Sequence, residues 1–441
     1  MNRRASTDSS SSSSSDTSSA TWSETERDAY CATLADLFAR VRFGERYGLE
    51  GPRALDAALG GPVSRRPCVL VGGTNGKGST AAFTEALLRA SGLRVGLFTS
   101  PHLSSFRERI RVDGRDVEGA EVVTLAQRVL RAAERIAYDA TFFECTWAMA
   151  ALAFEDAQVD CVVWEVGLGG RLDATNVCDP VASAVVTVDL DHEDVLGAGF
   201  DAIAREKAAL FRPGRPALTA ARGPGLRALR RCVDGLPEAE KPRLRVCRED
   251  FAPYGGALPL PGEHQAANAA VALELAAALG IRPRPEDLAA VRWPGRGERV
   301  SEGTWVDCAH NVEGARAVVE WLGAAHLGPV ELVFGAMHDK DYLGVLSILA
   351  PAAARIVVVT PDHPRGAPAA EVVRRFEAHR DRTAAPVEIV AVERVQSALE
   401  APLSGGLATR LVTGSCYLVG EARARVLRQP WPECGLATRA R

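Results

Sequence analysis

One glycine-rich segment, Gly73-Thr74-Asn75-Gly76-Lys77-Gly78-Ser79, combines the residue types that bind phosphate groups. Backbone N–H groups of a loop that opens a helix point at anionic oxygens, and the helix dipole adds to the attraction. Lys77 supplies a mobile cation for the β and γ phosphates, and the glycines allow close backbone approach. In the common pattern the hydroxyl residue directly follows the lysine, whereas here Gly78 separates the two. The segment favours a nucleoside triphosphate site, and a glycine-rich turn with an incidental lysine is the alternative.

Polar groups suited to a metal follow other predicted strands. Ser100 stands in TSPH, Glu165 precedes a glycine-rich loop, and His192 ends DLDH. Oxygen ligands from Ser100 and Glu165, together with His192, suit Mg²⁺, which takes few protein ligands beside phosphate oxygens. A histidine such as His192, taken alone, is more often structural. Lys207, in REKA, is by composition a solvated helix lysine.

The elements that must position these groups alternate between strands and helices. A short apolar strand at 68–71 leads into the phosphate loop, and a helix at 79–90 and a strand at 95–98 follow. This βαβ order implies a parallel sheet, which binds ligands at the carboxyl ends of its strands. Further strands are predicted at 161–166, 182–188, 304–307, 330–334, 356–360, 387–390 and 411–413, and further helices at 24–40, 312–322 and 369–379.

The chain of 441 residues is too long for one compact core, so more than one domain is expected. The predicted fold class is α/β, with a P-loop ATPase domain built on a parallel-rich sheet and a smaller Rossmann-like α/β domain after it. Residues 1–22 are expected to form a disordered serine-rich tail, because serine and aspartate bury too little surface to offset the ordering entropy. The domains are placed at 23–296 and 297–441.

Composition narrows the class of protein. The net charge of -4 gives no support for a nucleic-acid partner, and no stretch approaches the roughly 18 to 20 apolar residues of a membrane span. Ten cysteines are scattered without a C-x-x-C pair, which indicates buried free thiols in a reducing compartment. No apolar segment suited to a signal peptide follows the N-terminus. A cytoplasmic monomer is therefore expected.

Taken together, these segments resemble the folylpolyglutamate synthase and dihydrofolate synthase family, a branch of the Mur ligase superfamily. The resemblance extends from about residue 35 to the C-terminus and depends on many motifs in order. These are GTNGKGS at 73–79, TSPHL at 99–103, ERIRV at 108–112, EVGLGGRLDATN at 165–176, LDHEDVLG at 190–197, REKAALFRPG at 205–214, DCAHN at 307–311, FGAMHDKD at 334–341 and TGSCYLVGE at 413–421.

The resemblance implies an ATP- and Mg²⁺-dependent ligase that joins glutamate to a folate-type acid through an acyl phosphate. Dihydropteroate, tetrahydrofolates or both would be the acid. The first domain would be a Mur-ligase-type ATPase over which the second domain closes. Lys207 matches a position that is carbamylated in the family, so its new carboxylate would hold a second Mg²⁺. That reverses the interpretation of Lys207 as a solvated lysine.

Family positions assign the remaining roles. The ATP-binding positions are Thr74, Asn75, Gly76, Lys77, Gly78, Ser79, Asn268, Arg296 and Asp307. The metal positions are Ser100, Glu165, His192 and Lys207. The pterin positions are Phe143, Glu144 and Thr146, and the glutamate positions are Arg109, His310 and Ser415. The catalytic positions are Lys77, Lys207 and His310.

Two alternatives stay open on the sequence. The first is a Mur-like ligase that acts on another acid, such as a cell-wall precursor or an amino-acid polymer. The second is a nucleotide-binding regulator that ligates nothing. Polar groups at strand ends of the second domain, such as those of DCAHN at 307–311, speak against a regulator, which has no need of them.

Overall fold

The computed structural model describes residues 22–40, 48–380 and 387–435. An eight-stranded sheet and a six-stranded sheet form its framework, and most neighbouring strands in both are parallel. The α/β prediction is thereby confirmed. The predicted disordered tail lies outside the described residues except for Trp22, and the domain limits at 23–296 and 297–441 stay a prediction.

The first sheet is built around its first strand. Its strands are β1 (Cys68–Gly72), β2 (Val95–Phe98), β3 (Ile110–Val112), β4 (Arg115–Asp116), β5 (Cys161–Glu165), β6 (Ala182–Val185), β7 (Pro216–Thr219) and β8 (Arg243–Val246). Their order is β4-β3-β2-β5-β1-β6-β7-β8. Only the pairs β2–β3 and β3–β4 are antiparallel. The loops after β1, β2, β5 and β6 therefore meet at one edge of the sheet.

Helices cover both faces of this sheet. They are α1 (Glu24–Ala39), α2 (Glu50–Ala58), α3 (Lys77–Ala90), α4 (Gly119–Arg135), α5 (Phe142–Asp156), α6 (Glu193–Leu196), α7 (Gly199–Ala208), α8 (Gly223–Asp234) and α9 (Glu263–Ala278). Val69 and Val71 pack in a cluster with α3 and α9, while Cys68 and Leu70 belong to a second cluster with α4 and α5. Because both faces are covered, β1 is an unbroken apolar run instead of an alternating pattern.

The second sheet repeats this plan on a smaller scale. Its strands are β9 (Glu298–Ser301), β10 (Thr304–Val306), β11 (Val330–Phe334), β12 (Ala353–Val359), β13 (Glu388–Val392) and β14 (Arg410–Thr413). Their order is β13-β12-β11-β14-β10-β9, with only β9 antiparallel. The helices are α10 (Val312–Ala324), α11 (Tyr342–Leu349), α12 (Ala369–His379), α13 (Val395–Glu400) and α14 (Cys416–Val426). Strand β11 and helix α12 have the predicted limits.

Two predicted limits beside the phosphate loop are wrong. Helix α3 begins at Lys77, two residues before the predicted start. Strand β6 ends at Val185 instead of 188, because the following residues bond to the loop. The Thr74 N–H donates to the carbonyl oxygen of Thr187 at 2.9 Å, and the Asn75 N–H donates to the Thr187 hydroxyl at 2.9 Å.

The cysteines differ in part from the expectation. Cys31 and Cys434 form a disulfide between α1 and the C-terminal end of the described chain. The prediction of free thiols is wrong for this pair, because local spacing carries no signal for residues 403 positions apart. The other eight cysteines are free, and six of them are buried as expected. Disulfides are rare in reducing compartments, so this pairing does not support the predicted cytoplasmic location. Across the described ranges, no helix is both long and apolar enough to span a bilayer.

Candidate active site

The phosphate loop has the backbone geometry that the sequence predicts. Gly76 precedes α3 with a φ of 84°, in the left-handed region that favours glycine. A Cβ there would lie 2.6 Å from the Asn268 Oδ1 atom, so the glycine also lets α9 bring Asn268 against the loop. Two predicted ATP-binding segments, far apart in the chain, thus come together.

The Lys77 side chain folds back over the loop. Its Nζ atom donates to the carbonyl oxygens of Gly73 at 3.1 Å and Thr74 at 3.2 Å. Burial lowers the pKa of Lys77, and the negative charges of Glu165 and Asp191 oppose that shift. The ammonium is therefore already held near the loop amides, where phosphate oxygens would replace the carbonyl partners.

Gly78, the glycine that separates Lys77 from Ser79, is required by close packing against Trp293. Gly78 lies in the first turn of α3, where an added Cβ would be 3.0 Å from the Trp293 Nε1 atom. The guanidinium of Arg111 lies 5.0 Å from the centre of the same indole ring. Trp293 precedes Arg296 by three residues, so the segment that joins the two sheets packs directly on the start of α3. Ser79, the next residue, is buried.

Ser100 and Glu165 meet where β2 and β5 end. The backbone N–H of Ser100 donates to the Glu165 Oε2 atom at 2.9 Å. Burial raises the pKa of the Glu165 carboxyl to about 7, while the positive charge of Lys77 opposes the shift. A cation at this carboxylate would offset the cost of its burial. The serine hydroxyl and the carboxylate are oxygen donors of the kind that Mg²⁺ prefers.

His192 lies at the same edge, but a lysine already contacts it. The Lys340 Nζ atom is 3.0 Å from the His192 Nε2 atom and 2.7 Å from the Asp191 Oδ1 atom. Burial lowers the pKa of His192 to about 4, and Lys340 lowers it further. The imidazole is therefore neutral at pH 7, which is the form that binds metals.

Lys207 is buried in α7, with 3% of its surface exposed. Burial lowers its pKa to about 7, and the positive charge of Lys77 acts in the same direction. The composition-based interpretation as a solvated lysine is wrong. Within the described ranges, no group of three or more His, Cys, Asp or Glu side chains could hold a metal. The predicted metal set therefore fits Mg²⁺ at Ser100 and Glu165, and it fits at Lys207 only if that amine carries a carboxylate.

The strand ends of the second sheet face those of the first across a cleft, which is lined by Ser100 and Glu165 on one side and by Arg296 and Cys308 on the other. The Asp307 carboxylate follows β10 and accepts the backbone N–H groups of Gly297 and Ala309, each at 2.8 Å. Arg296 donates to the carbonyl oxygen of Gly295 at 3.1 Å and lines the cavity that also contains Ser100 and Glu165. The predicted nucleotide position Arg296 thus lies in the same cavity as Ser100 and Glu165, and Asp307 contacts Gly297, the residue after it.

Two residues that sequence reasoning did not assign join the sheets. The Asn311 Nδ2 atom donates to the Asn75 Oδ1 atom at 3.0 Å and to the Asp191 Oδ2 atom at 3.1 Å. Lys340 makes the contact with Asp191 described above. Burial would raise the pKa of Asp191, but Lys340 and the neighbouring His192 and His310 hold it well below its usual range. Asn311 and Lys340 belong to the motifs DCAHN and FGAMHDKD, each of which follows a strand of the second sheet. Their position just after a strand is the sequence feature that could have identified them.

Each of the three predicted glutamate positions contacts or adjoins a residue that lines the cavity. The Arg109 Nε atom donates to the His102 Nδ1 atom at 2.8 Å, and His102 lines the cavity. The His310 Nδ1 atom is 2.9 Å from the carbonyl oxygen of Cys308, which lines it from the second sheet. Ser415 caps α14, where its hydroxyl accepts the Leu418 N–H at 3.1 Å.

The predicted pterin positions occupy the start of α5. Phe143 packs beside the loop after β5, where a Cβ on Gly167 would lie 2.5 Å from its ring. Glu144 accepts the Thr141 N–H at 2.8 Å as part of a capping box. Thr146 is fully buried, and its hydroxyl donates to the carbonyl oxygen of Phe142 at 2.7 Å. Phe143 thus lies next to the cleft, whereas Glu144 and Thr146 have partners within their own helix region.

The chain is similar to known ligases in sequence. Residues 295–416 match the family model described as "Mur ligase, glutamate ligase domain". Identity is 31% over 438 residues to "Dihydrofolate synthase/folylpolyglutamate synthase" of Bacillus subtilis, covering 90% of this chain and 99% of that protein. Identity is 38% over 417 residues to "Probable bifunctional folylpolyglutamate synthase/dihydropteroate synthase" of Halobacterium salinarum, covering 88% of this chain and 50% of that protein.

The similarity extends to a solved structure. It is the bifunctional folylpolyglutamate synthase/dihydrofolate synthase of Yersinia pestis complexed with AMPPNP and Mn ion, with a TM-score of 0.79 and 29% identity over 90% of this chain and 98% of that one. The chain spans about half the length of the Halobacterium protein and nearly all of the Bacillus protein. The chain belongs to the folylpolyglutamate synthase and dihydrofolate synthase family, a family of ATP-dependent ligases within the Mur ligase superfamily.

Proposed function

We propose that this chain uses ATP to form an amide bond between glutamate and a folate-type acid, either dihydropteroate, a tetrahydrofolate or both. The observation that carries the proposal is that Lys77 lies near both Glu165, at the end of β5, and Lys207, on α7, so that its charge shifts the pKa of each. The second sheet supplies Asn311 and Lys340 to the same place.

The proposed reaction has two steps. The carboxylate of the folate-type acid attacks the γ-phosphate of ATP and gives an acyl phosphate and ADP. The glutamate amine then attacks the acyl carbonyl, and the tetrahedral intermediate expels phosphate. ATP is required because a carboxylate is a poor acyl donor until it becomes a mixed anhydride. Lys77 would stabilise the charge that develops on the transferring phosphoryl group.

Two Mg²⁺ sites are part of the proposal. A relative solved with AMPPNP and Mn ion supports the use of a divalent metal, and the second site follows from the carbamate proposed at Lys207. Ser100 and Glu165 would hold the first. Lys207 would hold the second after its neutral amine has added to carbon dioxide with loss of a proton, and His192 would complete the set. The metal ions would neutralise phosphate charge. Burial supports the carbamate, because a lysine with a pKa of about 7 is largely a neutral nucleophile above that pH.

Substrate contacts follow the predicted positions. Arg109 and His310 would orient the glutamate carboxylates and so contribute proximity. Phe143 would line the pterin site, because its ring lies beside the loop that follows Glu165. Asn268, Arg296 and Asp307 would contact the nucleotide. A monomer without a nucleic-acid partner completes the proposal. The cytoplasmic location is proposed from composition, and the Cys31–Cys434 disulfide speaks against it.

ADP release tests the proposed reaction. Release that requires both glutamate and a pteroate compound supports it, and competition between dihydropteroate and tetrahydrofolate would show which acid is used. Release that requires a different acid identifies a ligase of another kind. Nucleotide binding without release under any acceptor identifies a regulator.

Substitution of the loop lysine makes the same assay specific to the site. Lys77→Ala should lower the rate by roughly 100- to 1,000-fold, because removal of one donor from a developing anion has that effect. Lys241→Ala is the control, because Lys241 pairs with Glu238 at the surface. An unchanged rate in a folded Lys77→Ala variant would refute the assignment.

A further inference from the structure

Two cysteines face each other in the cleft, although nothing in the proposed reaction uses a thiol. Cys308 follows β10 and Cys416 is the first residue of α14. Both line the cavity that contains Ser100, Glu165 and Arg296. Their side chains are hydrogen-bonded to each other, and the Cys416 thiol is also bonded to His310. Two parallel strands of one sheet therefore deliver a pair of thiols to one point.

The backbone holds this pair in place. The Cys308 N–H donates to the carbonyl oxygen of Gly295 at 2.9 Å. Gly295 has a φ of 72°, and a Cβ there would lie 2.9 Å from the Cys308 sulfur. A glycine at this position thus leaves the space that the thiol occupies. Ser415 fixes the other partner, because it caps the helix that Cys416 begins.

The charges around the two sulfurs are unequal. Cys308 has the largest effect on the Cys416 thiol and holds its pKa well below the usual range. His310 and Arg296 lower this pKa further, although burial opposes the shift. The hydrogen bond with Cys416 and burial raise the pKa of Cys308. The Cys416 thiol therefore loses its proton more readily than the Cys308 thiol. This is the arrangement of an attacking thiol beside a resolving thiol.

The other free cysteines lack this setting. Burial raises the pKa of both Cys145 and Cys161 to about 12. Cys68 and Cys178 are also hydrogen-bonded to each other, but both are buried in the apolar core of the first sheet. Thiol pairing alone is thus not peculiar to the cleft. Cys308 and Cys416 differ from that pair in two ways. They line the cavity, and Arg296 and His310 lie beside them.

We propose that Cys308 and Cys416 form an oxidation site in the cleft, at which a hydroperoxide converts the two thiols to a disulfide. The Cys416 thiolate attacks one peroxide oxygen, forms a sulfenic acid and releases hydroxide. The Cys308 thiol then attacks the sulfenic sulfur, forms the S–S bond and releases water. Two electrons pass from the two thiols to the peroxide, and a dithiol reductant reverses the change.

The disulfide would stop ligation. An S–S bond of about 2.05 Å is far shorter than a thiol hydrogen bond, so its formation pulls the end of β10 towards the start of α14. Asp307 and Ser415 are the chain neighbours of the two cysteines. The bond also removes the contact between Cys416 and His310. The loss of rate rests on the proposed ligase function, whereas the oxidation site itself does not.

Peptide mapping tests the site without reference to activity. The full-length protein is freed of reductant, treated with a small molar excess of hydrogen peroxide, alkylated and digested. We expect a linked peptide pair that contains Cys308 and Cys416, and we expect both alkylated in the untreated sample. Cys68 and Cys178 serve as the internal control and should stay unlinked. Failure to link Cys308 with Cys416 would overturn the proposal, whatever the protein ligates.

Activity measurements test the consequence. Peroxide should lower the ATP-dependent ligation rate at least tenfold, and dithiothreitol should restore it. Cys308→Ser and Cys416→Ser should keep their own untreated rates under peroxide, while Cys232→Ser, which changes a half-buried thiol on α8, should stay sensitive. The experiment is repeated in a Cys31→Ser/Cys434→Ser background, so that the existing disulfide plays no part. Linkage without loss of rate would disprove inhibition.

Discussion

Burial of Lys207 connects its charge to the stability of the fold. Its pKa is about 7 in the folded chain, against an ordinary value of 10.5. Between these values the unfolded chain binds a proton that the folded chain has lost. The free energy of unfolding should therefore rise with pH across this window, by about 1.4 kcal/mol per pH unit at most. At lower pH both states are protonated and the slope disappears.

Denaturant unfolding at several pH values checks this slope. Lys207→Met should reduce the rise between about pH 7 and 10, because the unfolded variant has no proton to bind at that position. The buried Lys77, whose pKa is also lowered, keeps its own contribution. Lys241→Met, at the surface, should unfold with the pH dependence of the parent. The buffers must be free of carbon dioxide, which would trap the neutral amine. Equal slopes for the parent and Lys207→Met would show that the lysine is not desolvated.

The same amine gives the carbamate a functional test. If Lys207 carries a carboxylate during turnover, removal of carbon dioxide should slow ADP release and bicarbonate should restore the rate. A Lys207→Ala variant should regain part of its activity with added short-chain carboxylates, which can occupy the space that the side chain leaves. A wild-type rate for Lys207→Ala would rule out any role for the carbamate.

At the residue scale, the sequence predicts identities better than surroundings. Residue type and position beside predicted strands selected Lys77, Glu165 and His192, and the structure brings all three to one edge. The sequence could not show that Lys207 is buried, since a lysine on a helix has the same local pattern whether or not other elements cover it. Lys340 was missed for a related reason, because its contacts with Asp191 and His192 join segments about 150 positions apart.

The start of α3 is where the shape of an element controls the site. Gly76 and Gly92 flank this helix and have similar φ values of 84° and 87°. An added Cβ at Gly76 would lie 2.7 Å from a Val186 methyl and 2.6 Å from Asn268, while Gly92 has nothing within 4 Å. A side chain at either position would strain the backbone, but only at Gly76 would it also collide with neighbouring atoms.

This pair gives a matched experiment. Gly92→Ala should cost about 1 kcal/mol of stability and leave nucleotide affinity unchanged, because only the backbone is strained. Gly76→Ala should cost more and should also weaken nucleotide binding at least tenfold, since the loop must shift away from α9. Thermal melting and nucleotide titration measure the two effects. Equal losses of affinity in both variants would contradict a packing role for Gly76.

At the element scale, burial on both faces explains what was predictable. The central strands β1, β2, β5 and β11 are largely apolar runs, so their existence was clear from sequence, and β2 and β11 have the predicted limits. The polar strands β4, β8 and β9 were not predicted, because they carry no such run. The errors lie where tertiary contacts override local pattern. Thr187 bonds to the phosphate loop instead of extending β6, and the glycines before Lys77 conceal the true start of α3.

At the scale of the whole molecule, Lys340 and Asn311 join the two sheets at the phosphate loop. The Cys31–Cys434 disulfide and the hydrogen bonds that Glu433 accepts join the C-terminal segment to the first half elsewhere. The ion pair of Lys340 with Asp191 is largely buried, with 11% and 10% of the two side chains exposed. Asn311 adds hydrogen bonds to Asp191 and Asn75. Because Asp191 and His192 belong to the first sheet edge and Lys340 follows β11, this contact joins the two halves of the site at its phosphate end.

Removal of the lysine charge should open this contact. In Lys340→Met the Asp191 carboxylate keeps its burial but loses its closest cation, which leaves an uncompensated charge in the cleft. The two halves should then separate in a larger fraction of molecules. We expect a larger radius of gyration in solution scattering, and a KM for ATP or glutamate raised at least tenfold.

A double variant distinguishes opening from simple loss of a substrate contact. In Lys340→Met/Asp191→Asn both partners are neutral and no buried charge is left unpaired, so the radius of gyration should return towards that of the parent. If Lys340 only bound substrate, the single variant would keep the parental radius while its KM rose. If it does hold the cleft closed, scattering and KM will change together in the single variant and only the radius will recover in the double one. That pattern would identify Lys340, to which sequence reasoning assigned no role although it belongs to the motif FGAMHDKD, as the residue through which the second sheet completes the site.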